Sequence, residues 1–353
     1  MNRLHALLEE IQPMDKEICK EAQKKWDAIG KPLRSLGKLE EMVIQLAGIT
    51  GKLIPKVDRK AVLIFCADNG IVEEGVTQTG SEVTAIVAEN FTKGIATINS
   101  FAGVAKAATF PIDIGINQDM TNVKGMVHRK VAWGTHNIAN GPAMTRKECE
   151  QAILVGIDMV GALKKQGYEL FVTGEMGIGN TSTSSAVLSV LEDVPVSQVT
   201  GRGAGLSKQG VKHKIEVLER AIRINRPNRQ DILDVMTKLG GLDICGITGA
   251  FLGGAIYHVP IIVDGFISAV AANCAIRLAP DVADYIFASH CSAEPAGKFA
   301  LDAIQKEACI QAGMCLGEGT GGVIGAALFD FALAAYQEVA GFEQADVKPY
   351  ELL

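Results

Sequence analysis

Residues with aromatic rings are scarce in this sequence, and no cluster of basic residues is present. Aromatic residues make up 5% of the 353-residue chain, and its formal net charge is −6. Recognition of nucleic acid requires lysine and arginine side chains clustered on one face of a protein, so we expect no nucleic-acid partner. An anionic ligand would need local hydrogen-bond donors, because the overall negative charge repels it weakly.

Paired cysteine motifs and a secretory signal are also missing. None of the eight cysteines forms a C-x-x-C pair, and several lie in apolar runs, where a free thiol packs as a small hydrophobic side chain. The first residues, MNRLHALLEEIQP, do not have the pattern of a signal peptide. We therefore expect reduced thiols and a cytoplasmic location.

One apolar stretch is long enough to suggest a membrane span. It runs from 312 to 336 and exceeds the length of about 20 residues that crosses a bilayer. It also contains Glu318, Asp330 and several glycines, so we interpret it as a buried loop that leads into a core helix. We expect no membrane partner.

Glycine and aliphatic residues are abundant, and their order along the chain predicts an α/β fold. Short apolar runs that end in glycine or polar residues alternate with helical patterns, which is typical of a doubly wound, mostly parallel sheet flanked by helices (Rossmann-like). The predicted strands lie within 60–70, 108–116, 168–180, 259–266 and 284–292, and helical patterns lie at 84–102 and 145–167. The second helix opens with Thr145 and Glu148 in capping-box spacing.

The two ends of the chain differ in pattern from its middle. Residues 1–57 carry apolar residues at helical spacing, and Pro55 breaks the chain before the first predicted strand. We expect residues 1–57 and about 337–353 to form a small helical domain, and residues 58–336 to form an α/β catalytic domain. In such sheets, ligands bind beyond the carboxyl ends of the strands.

A glycine-rich stretch, TGEMGIGNTSTSSAV at 173–187, joins a predicted strand to a helix. Glycines let the backbone approach a ligand, and free N–H groups at a helix start bind anions, so Gly177, Asn180 and Thr181 form a candidate phosphate cradle. Glu175 is placed to bind ribose hydroxyls. The alternative is a glycine turn with an ordinary cap. The stretch matches neither the P-loop nor the G-x-G-x-x-G pattern, so both nucleotide-binding fingerprints are absent.

A second glycine cluster, with Gly203 and Gly205, precedes a helix that carries Lys214. We predict that Lys214 flanks the buried face of this helix and that His213 points away from it. The predicted buried residues are Val211, Ile215, Leu218 and Ile222. Lys214 would reach a phosphate as a point charge, or alternatively its stem would cover apolar surface with the charge in water.

Glu318 is the strongest candidate for a catalytic group. It lies between glycines in LGEGTGG, within a long apolar region that would desolvate the carboxylate and raise its basicity. A carboxylate of this kind is suited to act as a general base; the alternative is a surface turn. His290 also follows a predicted strand, but we expect a structural role for it. Cys291 beside it lacks further metal ligands, so we expect no metal site.

Eight stretches, taken together and in this order, resemble the family of nicotinate-nucleotide–dimethylbenzimidazole phosphoribosyltransferases. They are SLGKLEEMVIQLAG, ADNGIVEEGV, GTHNIANGPAMT, TGEMGIGNTSTSSA, GLDICGITGAFLGGA, VDGFISAVAA, ASHCSAE and LGEGTGG. The resemblance covers nearly the whole chain. It implies transfer of phosphoribose from nicotinate mononucleotide to a benzimidazole, with release of nicotinate, in the synthesis of the lower-ligand nucleotide of cobalamin. It also implies a homodimer, with no metal or redox cofactor.

The resemblance implies a role for each candidate residue. Glu318 would be the general base that removes a proton from the benzimidazole, and Glu175 would contact the ribose. The loop 177–181, the turn 203–205 and Lys214 would hold the 5′-phosphate.

The sequence departs from the family pattern at two places. Where the family usually has Asp-His-Gly, this chain has asparagine at position 69. The serine and glutamine that typically line the base pocket fall on Thr79 and Val87. The loss of an amide at Val87 removes a hydrogen-bonding group near the base, so the preferred base stays open.

Two other classes of function also fit a phosphate cradle. A regulatory nucleotide-binding protein would keep the cradle but lose the catalytic base, whereas Glu318 is present here. A dehydrogenase with a nicotinamide cofactor would need the dinucleotide fingerprint, which the sequence lacks.

Overall fold

Six strands form a single sheet at the centre of the protein. The computed structural model describes residues 3–350. Its strands are β1 (Lys60–Ala67), β2 (Ala107–Gly115), β3 (Val127–His128), β4 (Leu170–Met176), β5 (Ile261–Val263) and β6 (Ile286–Ala288). They are ordered β3-β2-β1-β4-β5-β6, and each pair of neighbours is parallel. The predicted doubly wound parallel sheet is confirmed, and the strand order is that of Rossmann folds.

Fourteen α-helices accompany the sheet among the described residues. They are α1 (Arg3–Glu9), α2 (Lys16–Asp27), α3 (Lys38–Thr50), α4 (Glu82–Lys93), α5 (Thr97–Val104), α6 (Arg146–Lys165), α7 (Asn180–Glu192), α8 (Val196–Val199), α9 (Lys208–Asn225), α10 (Ile232–Leu239), α11 (Leu242–Ile256), α12 (Phe266–Leu278), α13 (Gly297–Ala303) and α14 (Thr320–Glu338). Short 3₁₀ turns lie at Gly70–Glu74 and Pro280–Tyr285.

The helices agree with the sequence pattern in two places and differ from it in one. The helical expectation for residues 1–57 is met by α1, α2 and α3 among the described residues, with residues 1–2 outside them, and the capping box of Thr145 and Glu148 opens α6. The pattern at 84–102 forms two helices, α4 and α5, rather than one. Gly94 follows α4 with φ of +74°, a left-handed conformation that ends a helix.

The central strand β1 shows why the strands could be recognised from the sequence. All eight of its residues are buried, because β2 and β4 pair with its two edges, α11 packs on one face at Phe65, and the start of α14 packs on the other at Val62. A strand covered in this way needs no alternation of polar and apolar residues, and it reads as one apolar run. The two-residue strand β3 is too short to have such a pattern, and the sequence did not indicate it.

The sheet reverses its winding direction between β1 and β4. The chain moves outward from β1 to β3 on one side, and then from β4 to β6 on the other. In open parallel sheets a crevice forms beyond the carboxyl ends of the strands at this switch point, and ligands bind there. The loops that follow Ala67 and Met176 meet at this place, because a Cβ atom at Gly177 would lie 2.5 Å from the Ala67 carbonyl oxygen.

The terminal segments of the chain pack against each other. The ring of Trp26 in α2 lies 4.9 Å from that of Tyr336 in α14, and Ile29 forms an antiparallel bridge with Gly341. Trp26 also belongs to the hydrophobic cluster that includes the strands, so the division into a helical and an α/β domain stays a prediction.

The apolar stretch at 312–336 forms a loop followed by most of helix α14, as the sequence indicated. Glycines and Glu318 lie in the loop, and the apolar residues of α14 pack in the core. Within residues 3–350, we find no helix with the length and hydrophobicity that a membrane span requires.

Candidate active site

A cavity of about 330 Å³ lies beyond the carboxyl end of β4, and it collects nearly all the residues singled out in the sequence. The predicted site residues among its lining are Thr79, Val87, Glu175, Gly177, Asn180, Thr181, Gly203, Lys214 and Glu318. Gly205 is the exception, because it does not line the cavity. Its carbonyl oxygen instead accepts a hydrogen bond from the Gln78 amide, so Gly205 shapes the turn rather than the ligand surface.

Lys214 lies in the wall of this cavity with its ammonium group directed at the glycine loops. Its Nζ atom donates a hydrogen bond to Thr181 Oγ1 at 2.8 Å, and a Cβ atom at Gly203 would lie 3.6 Å from Nζ. Burial lowers the pKa of Lys214 to about 8, opposed by the negative charge of Glu294. An ammonium group desolvated in this way gains from an anionic ligand that replaces the lost water.

The structure corrects the predicted position of Lys214 on helix α9. Lys214 is 1% exposed and belongs to the buried face itself, so a stem that covers apolar surface with its charge in water is ruled out. The buried residues of α9 are Lys214, Val217, Leu218, Ala221 and Asn225, whereas the expected face was Val211, Ile215, Leu218 and Ile222. Both sets have helical spacing; the helix is rotated because α9 packs on α7. His213 is exposed, as predicted.

The start of helix α7 forms the other side of the candidate phosphate cradle. Asn180 and Thr181 are its first two residues, and Gly179 precedes them with φ of +94°. No side chain caps this helix, and the Gly177 backbone lies close to β1 where a Cβ atom would not fit. The N–H groups of Asn180 and Ser182 already bond carbonyl oxygens of the loop, so Lys214, the Thr181 hydroxyl and the remaining N–H groups of this turn are the donors suited to hold a phosphate.

Glu175 connects the glycine loop to the loop of Glu318. Its carboxylate accepts a short hydrogen bond from the Asn180 amide. A Cβ atom at Gly317 would lie 2.2 Å from Glu175 Oε1, so the carboxylate packs directly on that backbone. Burial, reinforced by the charge of Asp243, raises the pKa of Glu175 to about 8.

Glu318 is half-buried at the start of helix α14, rather than on an open surface turn. Its carboxylate accepts a hydrogen bond from the backbone N–H of Ile98 at 3.3 Å. Burial raises the pKa of Glu318 above its ordinary value, as expected from its apolar surroundings. The carboxylate therefore combines access to the cavity with the increased basicity of a general base.

Thr79 and Val87 lie on one side of the cavity, in α4 and the turn before it. Both are at least partly accessible, so both can contact a ligand. Asn69, which replaces the histidine of the family pattern, is 1% exposed and is not among the lining residues. It lies beside Asp243 under Gly177, and neither atom of its side-chain amide has a hydrogen-bond partner.

Three acidic residues near the cavity were not singled out by the sequence patterns. Asp264 and Glu294 line it, and Asp243 is buried behind it. Burial raises the pKa of Asp264 to about 7 and that of Asp243 to about 6. Asp264 lies at the polar end of a predicted strand, and this position could have identified it as a candidate site residue. Asp243 lies in an apolar stretch that forms helix α11, and nothing in the sequence pattern pointed to it.

His290 is buried against the start of α14 and also lines the cavity. Its Nδ1 atom lies 3.1 Å from Ser289 Oγ, and its ring packs on Gly321 where a Cβ atom would not fit. Burial lowers the pKa of His290, which favours a neutral ring. In residues 3–350, no three histidine, cysteine, aspartate or glutamate side chains lie close enough to hold a metal ion.

A phosphate cradle and a half-buried carboxylate in one cavity are what a transferase of phosphorylated sugars requires. Comparison with known proteins agrees with this class. The family model described as Phosphoribosyltransferase matches residues 11–347. The crystal structure of CobT from Thermus thermophilus has a TM-score of 0.90 to this chain at 35% identity, and covers 95% of this chain and 100% of its own.

Curated relatives make the assignment more specific. A protein from Acetivibrio thermocellus named nicotinate-nucleotide–dimethylbenzimidazole phosphoribosyltransferase is 47% identical over 348 residues, which are 99% of each chain. A protein of the same name from Ruminiclostridium cellulolyticum is 46% identical over 97% of each chain. The chain belongs to the family of nicotinate-nucleotide–dimethylbenzimidazole phosphoribosyltransferases, as its sequence motifs indicated.

Raising the pH from 6.5 to 7.5 should lower the free energy of unfolding of the ligand-free protein, because the opposing contribution of Lys214, with a pKa of about 8, becomes large only above this interval. The pKa values of Glu175, about 8, and Asp264, about 7, lie above those of exposed carboxyls. The folded protein therefore keeps protons in this interval that the unfolded chain has lost, so stability decreases as the pH rises. Denaturant titrations at several pH values measure this slope. Glu175→Gln should flatten it, and an unchanged slope would contradict the raised pKa of Glu175.

Proposed function

We propose that this protein transfers 5-phosphoribose from nicotinate mononucleotide to 5,6-dimethylbenzimidazole or a related base. The products are α-ribazole 5′-phosphate and nicotinate, in the assembly of the cobalamin lower ligand. The observation that carries this proposal is the placement of Lys214 and Glu318 in one cavity, with the glycine loops between strand and helix beside them. The names of the relatives support the same reaction.

The donor nucleotide binds through its phosphate and its ribose in this proposal. The 5′-phosphate accepts hydrogen bonds from Lys214, from Thr181 and from backbone N–H groups at the start of α7. Its negative charge offsets the burial that lowers the pKa of Lys214. Glu175 faces the ribose hydroxyls, either as a neutral donor or as an acceptor, because its pKa of about 8 lies near physiological pH.

The chemical step exchanges one carbon–nitrogen bond for another. One ring nitrogen of the benzimidazole attacks the anomeric carbon, while Glu318 accepts the proton from the other ring nitrogen. The bond from the anomeric carbon to nicotinate breaks, and its electron pair neutralises the positively charged pyridine ring. Attack from the face opposite nicotinate inverts the β-linked donor to an α-linked product.

One assay tests this proposal directly. The protein is incubated with nicotinate mononucleotide and a panel of bases, and the ribotides are identified by mass and by the configuration at the anomeric carbon. We expect α-ribotides and stoichiometric nicotinate. A β-configured product, or nicotinate release without a ribotide, would overturn the proposal.

The identity of residue 87 should control the choice of base. Val87 presents an apolar wall, and such a wall separates close analogues by only about 1–3 kcal/mol. We therefore expect the parent protein to use several benzimidazoles, and to extend to purines or phenols, in direct competition. Val87→Gln should sharpen the preference, because its amide can bond one base and is left unpaired beside another.

The neighbouring residue Ile86 provides a matched control for this test. It lies on the same helix, is 55% exposed and does not line the cavity, so Ile86→Gln should leave the order of bases unchanged. Strict use of dimethylbenzimidazole by the parent protein, or the same shift in both variants, would show that Val87 does not select the base.

The remaining expectations belong to the same proposal. We infer a homodimer, a cytoplasmic location and a small helical domain formed by the chain ends. The eight cysteines, free thiols in the structure, are compatible with a reducing compartment. Light scattering coupled to gel filtration tests the homodimer.

A further inference from the structure

Asp264 is a buried carboxylate that contacts the backbone on both sides of the start of helix α14. It directly follows strand β5 and is 3% exposed. Its Oδ2 atom accepts a hydrogen bond from Gly319 N at 3.0 Å, and its Oδ1 atom accepts one from Gly322 N at 2.8 Å. Both oxygens are therefore occupied by backbone N–H groups, although Asp264 also lines the cavity.

Helix α14 has no capping side chain of its own. Its N-cap residue is Gly319, which has no side chain to accept the free N–H groups of the first turn. In most helices a serine, threonine, aspartate or asparagine at the N-cap does this. Here Asp264, which follows strand β5, accepts the hydrogen bond from Gly319 N. This contact joins the end of β5 to the loop that precedes α14.

That loop has an unusual backbone conformation. Gly317, Glu318 and Gly319 have φ angles of +89°, +63° and +96° in succession. For Glu318 the left-handed conformation is unfavourable, because its Cβ atom crowds the backbone. Such a residue persists where the surrounding structure determines it, and it is often found at functional sites.

Three contacts hold this loop in place. The first is Asp264 on the N–H of Gly319. The second is the Glu175 carboxylate, which packs against the backbone of Gly317, and the third is the turn in which Thr320 N bonds Gly317 O at 3.0 Å. Glu175 faces the ribose in the proposed reaction, whereas both Asp264 oxygens are already engaged by the backbone.

We propose that Asp264 is a positioning residue, which aims the Glu318 carboxylate into the cavity by fixing the loop 317–319 to strand β5. This inference rests on the proposed function, in which Glu318 is the general base. Asp264 neither binds a substrate nor accepts the proton of the base. It acts on the reaction only through Glu318.

The first test is the turnover of Asp264→Asn with nicotinate mononucleotide and dimethylbenzimidazole. Asparagine has nearly the same shape but one acceptor oxygen, so it can hold only one of the two N–H groups. We expect kcat to fall about 10- to 100-fold, because a misplacement of about 1 Å can cost about 10²-fold in rate. The KM for nicotinate mononucleotide should stay within about threefold, since the cradle lies on other elements.

A double-mutant cycle separates positioning from a merely structural role. In the Glu318→Gln background the carboxylate that Asp264 aims is already absent, so Asp264→Asn should reduce kcat less than about threefold further. A structural role would reduce kcat by the same factor in both backgrounds. Equal factors, or a parent-like kcat for Asp264→Asn alone, would overturn the inference.

Controls cover folding and the reaction itself. Asp15→Asn changes an exposed capping carboxylate before α2 that does not line the cavity, and it should leave kcat unchanged. If Asp264→Asn does not fold, Asp264→Ser replaces it in the same cycle, because serine also caps helices. Absence of any ribotide from the parent protein refutes the proposed function; equal factors in a working enzyme refute only the role of Asp264.

Discussion

Glu318→Gln should reduce turnover with dimethylbenzimidazole by about 10²–10⁴-fold, the usual contribution of general-base catalysis. Glutamine keeps the size and shape of the side chain but cannot accept the proton of the attacking base. The variant should fold, because the contact that its side chain must replace is one long hydrogen bond from Ile98 N, at 3.3 Å. Steady-state kinetics and a direct binding measurement with nicotinate mononucleotide test both parts.

Two further variants sharpen this prediction. Glu318→Asp keeps the carboxylate but withdraws it by about one methylene, which should cost up to about 10²-fold. Glu216→Gln, at an exposed position on α9, is a matched control with parent-like turnover. The loss of turnover in Glu318→Gln should be smaller with a base that has no ring N–H proton for Glu318 to remove. Turnover of dimethylbenzimidazole within a few-fold of the parent would show that Glu318 is not the base.

The second large effect is expected for Lys214→Ala, which should raise the requirement for nicotinate mononucleotide far more than that for the base. A hydrogen bond to a charged group contributes about 1.5–3 kcal/mol, which corresponds to roughly 10- to 100-fold in KM for the nucleotide. Thr181 and the α7 backbone remain in place, so binding is weakened rather than abolished. Initial rates with each substrate varied in turn separate the two requirements.

The pH dependence gives Lys214 a second signature. Because its pKa is about 8 in the empty cavity, the parent protein must take up a proton to bind phosphate above that pH. Its KM for the nucleotide should therefore rise with pH above about 8, whereas that of Lys214→Ala should rise less, because only the charge on Glu175 still changes there. Lys212→Ala, an exposed lysine on the same helix, serves as the control. An unchanged nucleotide requirement in Lys214→Ala would remove Lys214 from the site.

Sequence patterns alone predicted those features of the fold and the site that depend on a single strand, helix or loop. The apolar runs of β1 and β4 form strands as predicted, because each is buried along nearly its whole length, and β4 ends at the cavity. The glycine loop before Asn180 and Thr181 could be placed because it directly follows β4.

Features that depend on packing between distant elements could not be predicted in this way. The face of α9 that carries Lys214 is set by α7, and sequence spacing determines the period of a helix but not its rotation. The contact of Asp264 with Gly319 joins residues 55 positions apart, so neither sequence neighbourhood contains it. Gly203 and Gly205 belong to the same glycine-rich turn and look alike in the sequence, yet only Gly203 lines the cavity.

Thr79 and Val87 lie on a different segment of the chain from the residues proposed to bind the nucleotide. This separation has an evolutionary consequence. Among the contacts that tie this segment to the donor side, Gln78 bonds Gly205 O and Ile178 N bonds Thr84 Oγ1 at 3.2 Å. In the proposed reaction, selection for a new aromatic base can act on Val87 in α4 while the glycine loops and Lys214 are inherited unchanged.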